Sequence, residues 1–408
     1  MHLHKKVKVV LVTPTQPSLN PRLVKEADAL NEAGYDVTVL CCYWNAWGAA
    51  SDDEILATRA WKVIRVGGDP VQKRITYFIS RVLHKVFNIL TDKFRLTAFT
   101  HLAVARGSLF LMREVANHKA DLYIGHNLGA LPAIVKAAKK FSAKCGFDAE
   151  DLHRYEATYD RGQASYNRNR YLEDKYFGEL NYLTTASPLM AQEYGELYPD
   201  KRPVAILNVF PKGPTFAKSI NNGVIRLFWF SQTIGPHRGL ETIIEALALL
   251  PEAPLELHLL GEGNMYADYI KELINGRPNI HLHHPIPSDQ LITFASQFDI
   301  GLAAELNIPH NHDICLANKI FTYLQAGLAV LASDTVAQKQ FMTEHPTIGQ
   351  CYKLNNAADI ASKLNLWLQQ RELLLHNASA ALKLGHGEMN WESESQKLLK
   401  VVSDTLAN

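Results

Sequence analysis

The sequence predicts an α/β protein of two doubly wound domains, each a parallel sheet with helices on both faces. Three observations lead there. Short β-type runs alternate with helical patterns along the chain, the order that builds parallel sheets. A polar stretch with Gly213-Pro214 breaks the series near 210–222. Glycines and charged residues collect just after the β-type runs, where doubly wound sheets hold ligands.

The runs follow in order. VKVVLVT (7–13) is short, interrupted by Lys8 and closed by Thr-Pro, so it reads as a buried first strand and not a secretory leader. A helical pattern from about Pro21 to Ala33 follows, then YDVTVL (35–40), DLYIG (121–125), KCGFDA (144–149), YLTTAS (182–187) and VAILN (204–208). Past the break come VIRLFWF (224–230), LELHLL (255–260), NIHLHH (279–284), DIGLAA (299–304) and LAVLAS (328–333). This divides the chain into domains 1–212 and 213–387 and a closing helix, 388–408. Two such sheets are expected to bring their strand C-termini to a shared crevice.

Composition narrows the class. The 408 residues exceed one ordinary core, and 47% apolar with 20% charged is globular. A net charge of +1 gives no reason to expect nucleic acid. The five cysteines are scattered without a CxxC pair, which predicts a reducing compartment, no disulfide framework and no zinc-thiolate site. No stretch has the ~20 unbroken apolar residues of a membrane span, so a cytoplasmic protein is expected.

Several loops carry chemistry. FWFSQTIGPHRGLETIIEAL (228–247) runs strand, loop, helix; Gly235 and Gly239 let backbone approach a ligand, and Arg238 can fork onto phosphate oxygens. In ANKIFTYLQAG (317–327), Asn318 is a good N-cap type, Lys319 offers a positive charge and Gly327 closes the run; its start suits an anion. LLGEGNMY (259–266) holds Gly261 and Gly263 but lacks the third glycine and the downstream acid of a dinucleotide site, which disfavours an NAD enzyme. His281 and His283 share a strand face, yet no nearby Cys, Asp or Glu completes a metal set, so no metal is expected. Asp52-Asp53-Glu54 reads as a solvated loop. His126, directly after a strand, either meets a sugar hydroxyl and its proton or is a structural histidine. The loop Asp148 to His153 also follows a strand.

Residues 74–95 place Ile75, Phe78, Ile79, Val82, Val86, Ile89 and Leu90 at helical spacing among Arg74, Arg81, Lys85, Lys93 and Arg95. Two readings stay open: a helix on an anionic membrane surface, or a core helix with a solvated face. Lys136, Lys139, Lys140 and Lys144 add basic charge to the same domain.

Taken together, these loops resemble glycosyltransferase family 4, retaining nucleotide-sugar enzymes with the GT-B fold of two Rossmann-like domains facing a central cleft. ANKIFTYLQAGLAVLASD (317–334) is similar to the family's Asn-Lys-x-Phe-Glu-Tyr segment, SQTIGPHRGLETIIEAL to its phosphate loop, YFGELNYLTTASPLMAQEY (176–194) and ILN (206–208) to the end of its first domain, and NWESESQKLLKVVSDTL (390–406) to its closing helix. The resemblance implies a nucleoside-diphosphate-sugar donor in the C-terminal domain, near Gly235, Arg238, Gly239, Gly261, Gly263, Asn318, Lys319 and Thr322. It implies catalytic roles for His126, Arg238, Lys319 and Glu305, and an acceptor, saccharide or lipid-linked, in the N-terminal domain near Arg22, Asp151 and His153. No cofactor and no metal are implied. Thr322 stands where the family has a ribose-binding glutamate, and the phosphate loop has one basic residue where two are usual. These departures keep two alternatives in view: a non-catalytic sugar- or nucleotide-binding protein, and a sugar-nucleotide epimerase.

Overall fold

The computed structural model describes residues 6–157, 162–216 and 223–407. Residues 217–222 of the expected break lie outside them. The chain divides into two compact units, one of residues 1–206 with 395–408 and one of 207–394.

The first unit is a seven-stranded parallel sheet. Its strands are β1 (Lys8–Val12), β2 (Asp36–Cys42), β3 (Lys62–Val66), β4 (Leu122–His126), β5 (Lys144–Ala149), β6 (Tyr182–Thr185) and β7 (Val204–Ala205), in the order 3-2-1-4-5-6-7. Val9 of β1 pairs with Val37 of β2 on one side and Leu122 of β4 on the other. β1 and β4 are buried along nearly their whole length, as a sheet covered on both faces requires. The helix after β1, Pro21–Glu32, starts where the chemistry favours it: proline takes the first position, and Asn20 Oδ1 accepts from Leu23 N at 3.0 Å.

The second unit is a six-stranded parallel sheet of β8 (Ile225–Thr233), β9 (Leu255–Glu262), β10 (Ile280–His283), β11 (Ile300–Ala303), β12 (Ala329–Ser333) and β13 (Gly349–Tyr352), ordered 10-9-8-11-12-13. Its core packs Leu227, Trp229, Leu257, Leu259, Leu331 and Trp367. The Trp367 indole reaches Asn377 Oδ1 at 2.9 Å.

Both sheets reverse their strand order once, beside β1 and β4 in the first and beside β8 and β11 in the second. At such a switch point the following loops part and leave a ligand-sized crevice.

Two expectations need correcting. Asp52 is not in a solvated loop. It is buried in a helix, Ala46–Leu56, and its carboxylate takes Ser18 N at 2.8 Å and Gln16 Nε2 at 3.3 Å, anchoring the loop after β1. Asn318 is not the cap of its helix: the capping position is Ala317, which offers no side-chain acceptor.

Candidate active site

At the switch point of the second unit, β8 ends in a register shift between Phe230 and Thr233, an irregularity that re-aims a strand end. The loop beyond turns through His237 (φ 61°) and Gly239 (φ 74°). A non-glycine in the left-handed region is held there by its surroundings, and such residues gather at functional sites. Arg238 lies between them. It is half-buried and, among the described residues, forms no salt bridge. The helix Leu240–Ala248 then starts with no side-chain cap.

Across the switch point, β11 leads to Glu305 and then to the helix Asn318–Ala326, also uncapped at its start. Lys319 Nζ donates to Glu305 Oε1 at 2.6 Å and stands 5.6 Å above the Trp229 ring. Burial alone would raise the Glu305 pKa. The Lys319 ammonium, its hydrogen bond, and the charges of His312 and Arg238 reverse that and lower it. Glu305 thus carries negative charge inside a positive setting. Ser333, buried at the end of β12, donates to Glu305 O at 2.7 Å and accepts from Gln338 Nε2 at 2.9 Å, which fixes the loop that presents the carboxylate. Lys319 has three donors and Glu305 takes one, leaving two for a ligand.

The other residues assigned to the donor fall as follows. A side chain at Gly235 would strike the Tyr266 ring at 2.7 Å, so that glycine serves packing within the loop. Gly261, next to last in its strand, lies against Ser231 O, and Gly263 lies against Ile270. Thr322 is fully buried, with Oγ1 donating to Asn318 O at 3.3 Å. Asn318 is the first residue of its helix.

The switch point of the first unit holds a buried charge cluster. His126 ends β4 and has no exposed surface. Its Nε2 is 3.2 Å from Glu26 Oε2, and its Nδ1 is 3.1 Å from Glu150 Oε1 and 3.6 Å from Asp148 Oδ2. Burial would lower its pKa, but Glu26, then the hydrogen bonds to Glu150 and Glu26, then Asp148, raise it to about 10. His126 is therefore an imidazolium at neutral pH. Asp148 is held down to about 2: burial opposes this, and the charge and hydrogen bonds of Arg22 outweigh it. Arg22 grips Asp148 with two N–H groups, at 2.5 and 2.8 Å, and gives a third to Ile206 O at 2.7 Å. Glu26 is pushed up, by burial first and Asp148 second. Burial, then Arg22, bring Lys25 down to about 7 against the pull of the acids.

Glu26, His126 and Asp148 lie close enough to share a metal ion. Arg22 and the imidazolium already supply positive charge there. Arg22, assigned to the acceptor from the sequence, is buried, and its guanidinium bonds Asp148 and the Ile206 carbonyl, which holds that carboxylate in place. His153 is likewise turned inward, with Nδ1 3.1 Å from Glu156 Oε2 and its ring against Phe147. Asp151 is half-buried. Sequence reading missed Lys25, Glu26 and Glu150. The spacing Arg22-x-x-x-Glu26 just after a helix-starting proline was the one available signal.

Residues 237–400 match a family model described as Glycosyl transferase-like. No curated protein matches the chain in sequence. Among solved structures, a glycosyltransferase from Rickettsia africae ESF-5 is 14% identical, with TM-score 0.69, covering 99% of this chain and 100% of that one. HepE of Anabaena, in complex with UDP and glucose, is 13% identical at TM-score 0.71, with 98% and 100% covered. WaaG, a glycosyltransferase involved in lipopolysaccharide biosynthesis, is 14% identical at TM-score 0.65, with 97% and 99% covered. The chain thus has the GT-B fold, its residues 237–400 carry a glycosyltransferase-like family pattern, and its resemblance is to glycosyltransferase family 4.

Proposed function

We propose that the chain is a retaining glycosyltransferase that moves a sugar from a nucleoside diphosphate to an acceptor hydroxyl. The observation that carries this is the grouping of Arg238, Lys319 and two uncapped helix starts around the switch point of the second unit. Charge gathers on the leaving diphosphate as the anomeric bond breaks. Preorganised cations and free backbone N–H groups aimed at that charge are the largest expected catalytic contribution. Glu305 holds Lys319 in place and is placed to meet a sugar hydroxyl. Retention follows if the leaving phosphate takes the acceptor proton on the same face, so no protein nucleophile is required. The two cations neutralise the diphosphate without a metal. The UDP bound by HepE of Anabaena supports a uridine donor.

In the first unit, we assign His126 and the half-buried Lys25 and Asp151 to the neighbourhood of the acceptor. As a buried cation, His126 donates hydrogen bonds and does not act as a base at neutral pH.

Lys319→Ala tests the donor site. It is expected to weaken nucleoside diphosphate binding about 10-fold or more, one charge-assisted contact's worth, and to leave the nucleoside almost unaffected. The ratio of the two affinities, from calorimetry, removes any folding cost of leaving Glu305 without its partner. Equal loss for both ligands contradicts a phosphate contact.

The helix Arg74–Asn88 favours the membrane reading of residues 74–95. Its aliphatic stripe faces outward: Ile75 is 78% and Phe78 68% exposed, and Ile79, Val82, Val86 and Ile89 are exposed with them. The inward face has Ser80 buried, His84 bonded to Ala103 O at 3.1 Å and Phe87 stacked on Phe99. A cavity of about 300 Å³ beside the helix is lined by Arg81, Val82, His84, Lys85 and Arg106, a setting for an anionic headgroup. No helix among the described residues is long and apolar enough to cross a membrane. An interfacial helix in this position suits a lipid-linked acceptor, as in polysaccharide or glycolipid assembly at the inner face of a cell membrane. In flotation with anionic vesicles at low salt, the wild type is expected to rise with the lipid and the double variant Ile75→Asp/Phe78→Asp to stay behind, since each nearby basic residue adds only about 1 kcal/mol. Wild-type protein that stays behind contradicts the membrane assignment.

A further inference from the structure

Outside the groups that surround Glu305, the second unit gathers one carboxylate and three imidazoles on a single face of its sheet. β9 contributes Glu256 and His258, and β10 contributes His281 and His283. Parallel pairing sets His281 opposite His258, and residues two apart on a strand point to the same side. The opposite face of β9 carries Leu255, Leu257 and Leu259 into the core. His258 lies about 13 Å along β9 from the strand end at Glu262, the end where the donor site sits.

The His258 and His281 rings stack with centroids 4.6 Å apart and planes at 23°. His258 Nε2 is 3.4 Å from Glu256 Oε2, and His258 Nδ1 is 2.9 Å from His283 Nε2. Ligand atoms of Glu256, His258 and His281 all lie within 4.8 Å of one another, and all three residues are half-buried, within reach of an ion from water. Ligand atoms of a tetrahedral site, ~2.0–2.1 Å from the metal, sit ~3.3 Å apart. The Glu256–His258 pair already has that spacing.

We propose that Glu256, His258 and His281 form a binding site for a divalent transition metal of the Zn²⁺, Ni²⁺ or Cu²⁺ type, with His283 as the positioning residue of His258. Imidazole nitrogen with one carboxylate selects these ions over Ca²⁺ and Mg²⁺, which want oxygen throughout. When His258 binds through Nε2, its Nδ1–H donates to His283 Nε2, the outer hydrogen bond that orients a metal-binding imidazole. Arg226, 3.6 Å from Glu256 Oε2, is a half-exposed competitor that an ion displaces at little cost. The ion would tie β10, the edge strand, to β9. This site does not depend on the donor reading.

The test uses the full chain without a histidine tag, stripped with a chelator, titrated with Zn²⁺ by calorimetry and with Co²⁺ by visible absorption. A single tight Zn²⁺ site is expected, with Co²⁺ bands that report nitrogen and oxygen ligands. Glu256→Gln and His258→Gln weaken it about 100-fold or more, and His283→Gln by ~10–100-fold. Glu256 is half-exposed, so its variant keeps the fold, checked by the melting temperature without metal. Wild-type protein without a tight Zn²⁺ site, or Glu256→Gln and His258→Gln that bind Zn²⁺ as the wild type does, overturns the proposal.

Discussion

Arg238→Ala is expected to lower sugar transfer by about 10²–10³-fold with the fold unchanged. The side chain is half-buried and, among the described residues, has no salt bridge, so its removal strands no buried acid. What it removes is a cation beside an uncapped helix start, where the proposed reaction gathers charge on the leaving diphosphate. An interaction made mainly in the transition state shows as a fall in kcat with little change in KM. Nucleoside diphosphate release, followed at saturating donor, measures it, and the melting temperature checks the fold. Near-normal turnover takes Arg238 out of the mechanism.

Asp148→Ala is expected to destabilise the first unit by about 3–5 kcal/mol. Asp148 has no exposed surface and receives Arg22, Thr184 and the charge of His126. Removing it leaves a guanidinium and an imidazolium buried beside too few acids. The wild type should show the same cluster through pH. The Asp148 pKa is depressed, so its contribution is complete above the unfolded value near 4 and is lost as pH falls toward about 2. The His126 pKa is raised, so its contribution is complete below the unfolded value near 6.5 and is lost as pH rises toward about 10. Lys25, brought down to about 7, opposes this over the same range, because its unfolded state holds the proton longer. The His126 contribution is therefore read as a difference: in urea unfolding at pH 6.5 and 9.5, the wild type should lose stability relative to His126→Gln as pH rises. Equal slopes for the two proteins contradict the assignment to His126.

Much of the fold was legible because the buried strands are short apolar runs. VKVVLVT, DLYIG and LAVLAS mark β1, β4 and β12. Lys62–Val66 and Gly349–Tyr352 escaped because both are edge strands. The first, Lys-Val-Ile-Arg-Val, is interrupted by charge and is only part-buried, and the second, Gly-Gln-Cys-Tyr, has no apolar run. The helix Arg74–Asn88 had the right period, but period alone does not say which side faces out, and here the aliphatic side does. Loops after strands pointed to Arg238, Lys319, Glu305 and His126 because chemistry concentrates there. Glu26 and Lys25 were hidden in an ordinary amphipathic helix. Glu256 was hidden by strand pairing: 25 residues separate it from His281, and only the register of β9 against β10 puts them on one face.

The claim beneath the proposed reaction is that the switch point of the second unit grips a diphosphate. Calorimetric titration of the wild type with UDP, UDP-glucose, GDP and uridine tests it most directly. Two cations and two helix starts predict that a diphosphate binds at least about 100-fold more tightly than uridine. Uridine and UDP binding with equal affinity, or no member of the set binding at all, would contradict it.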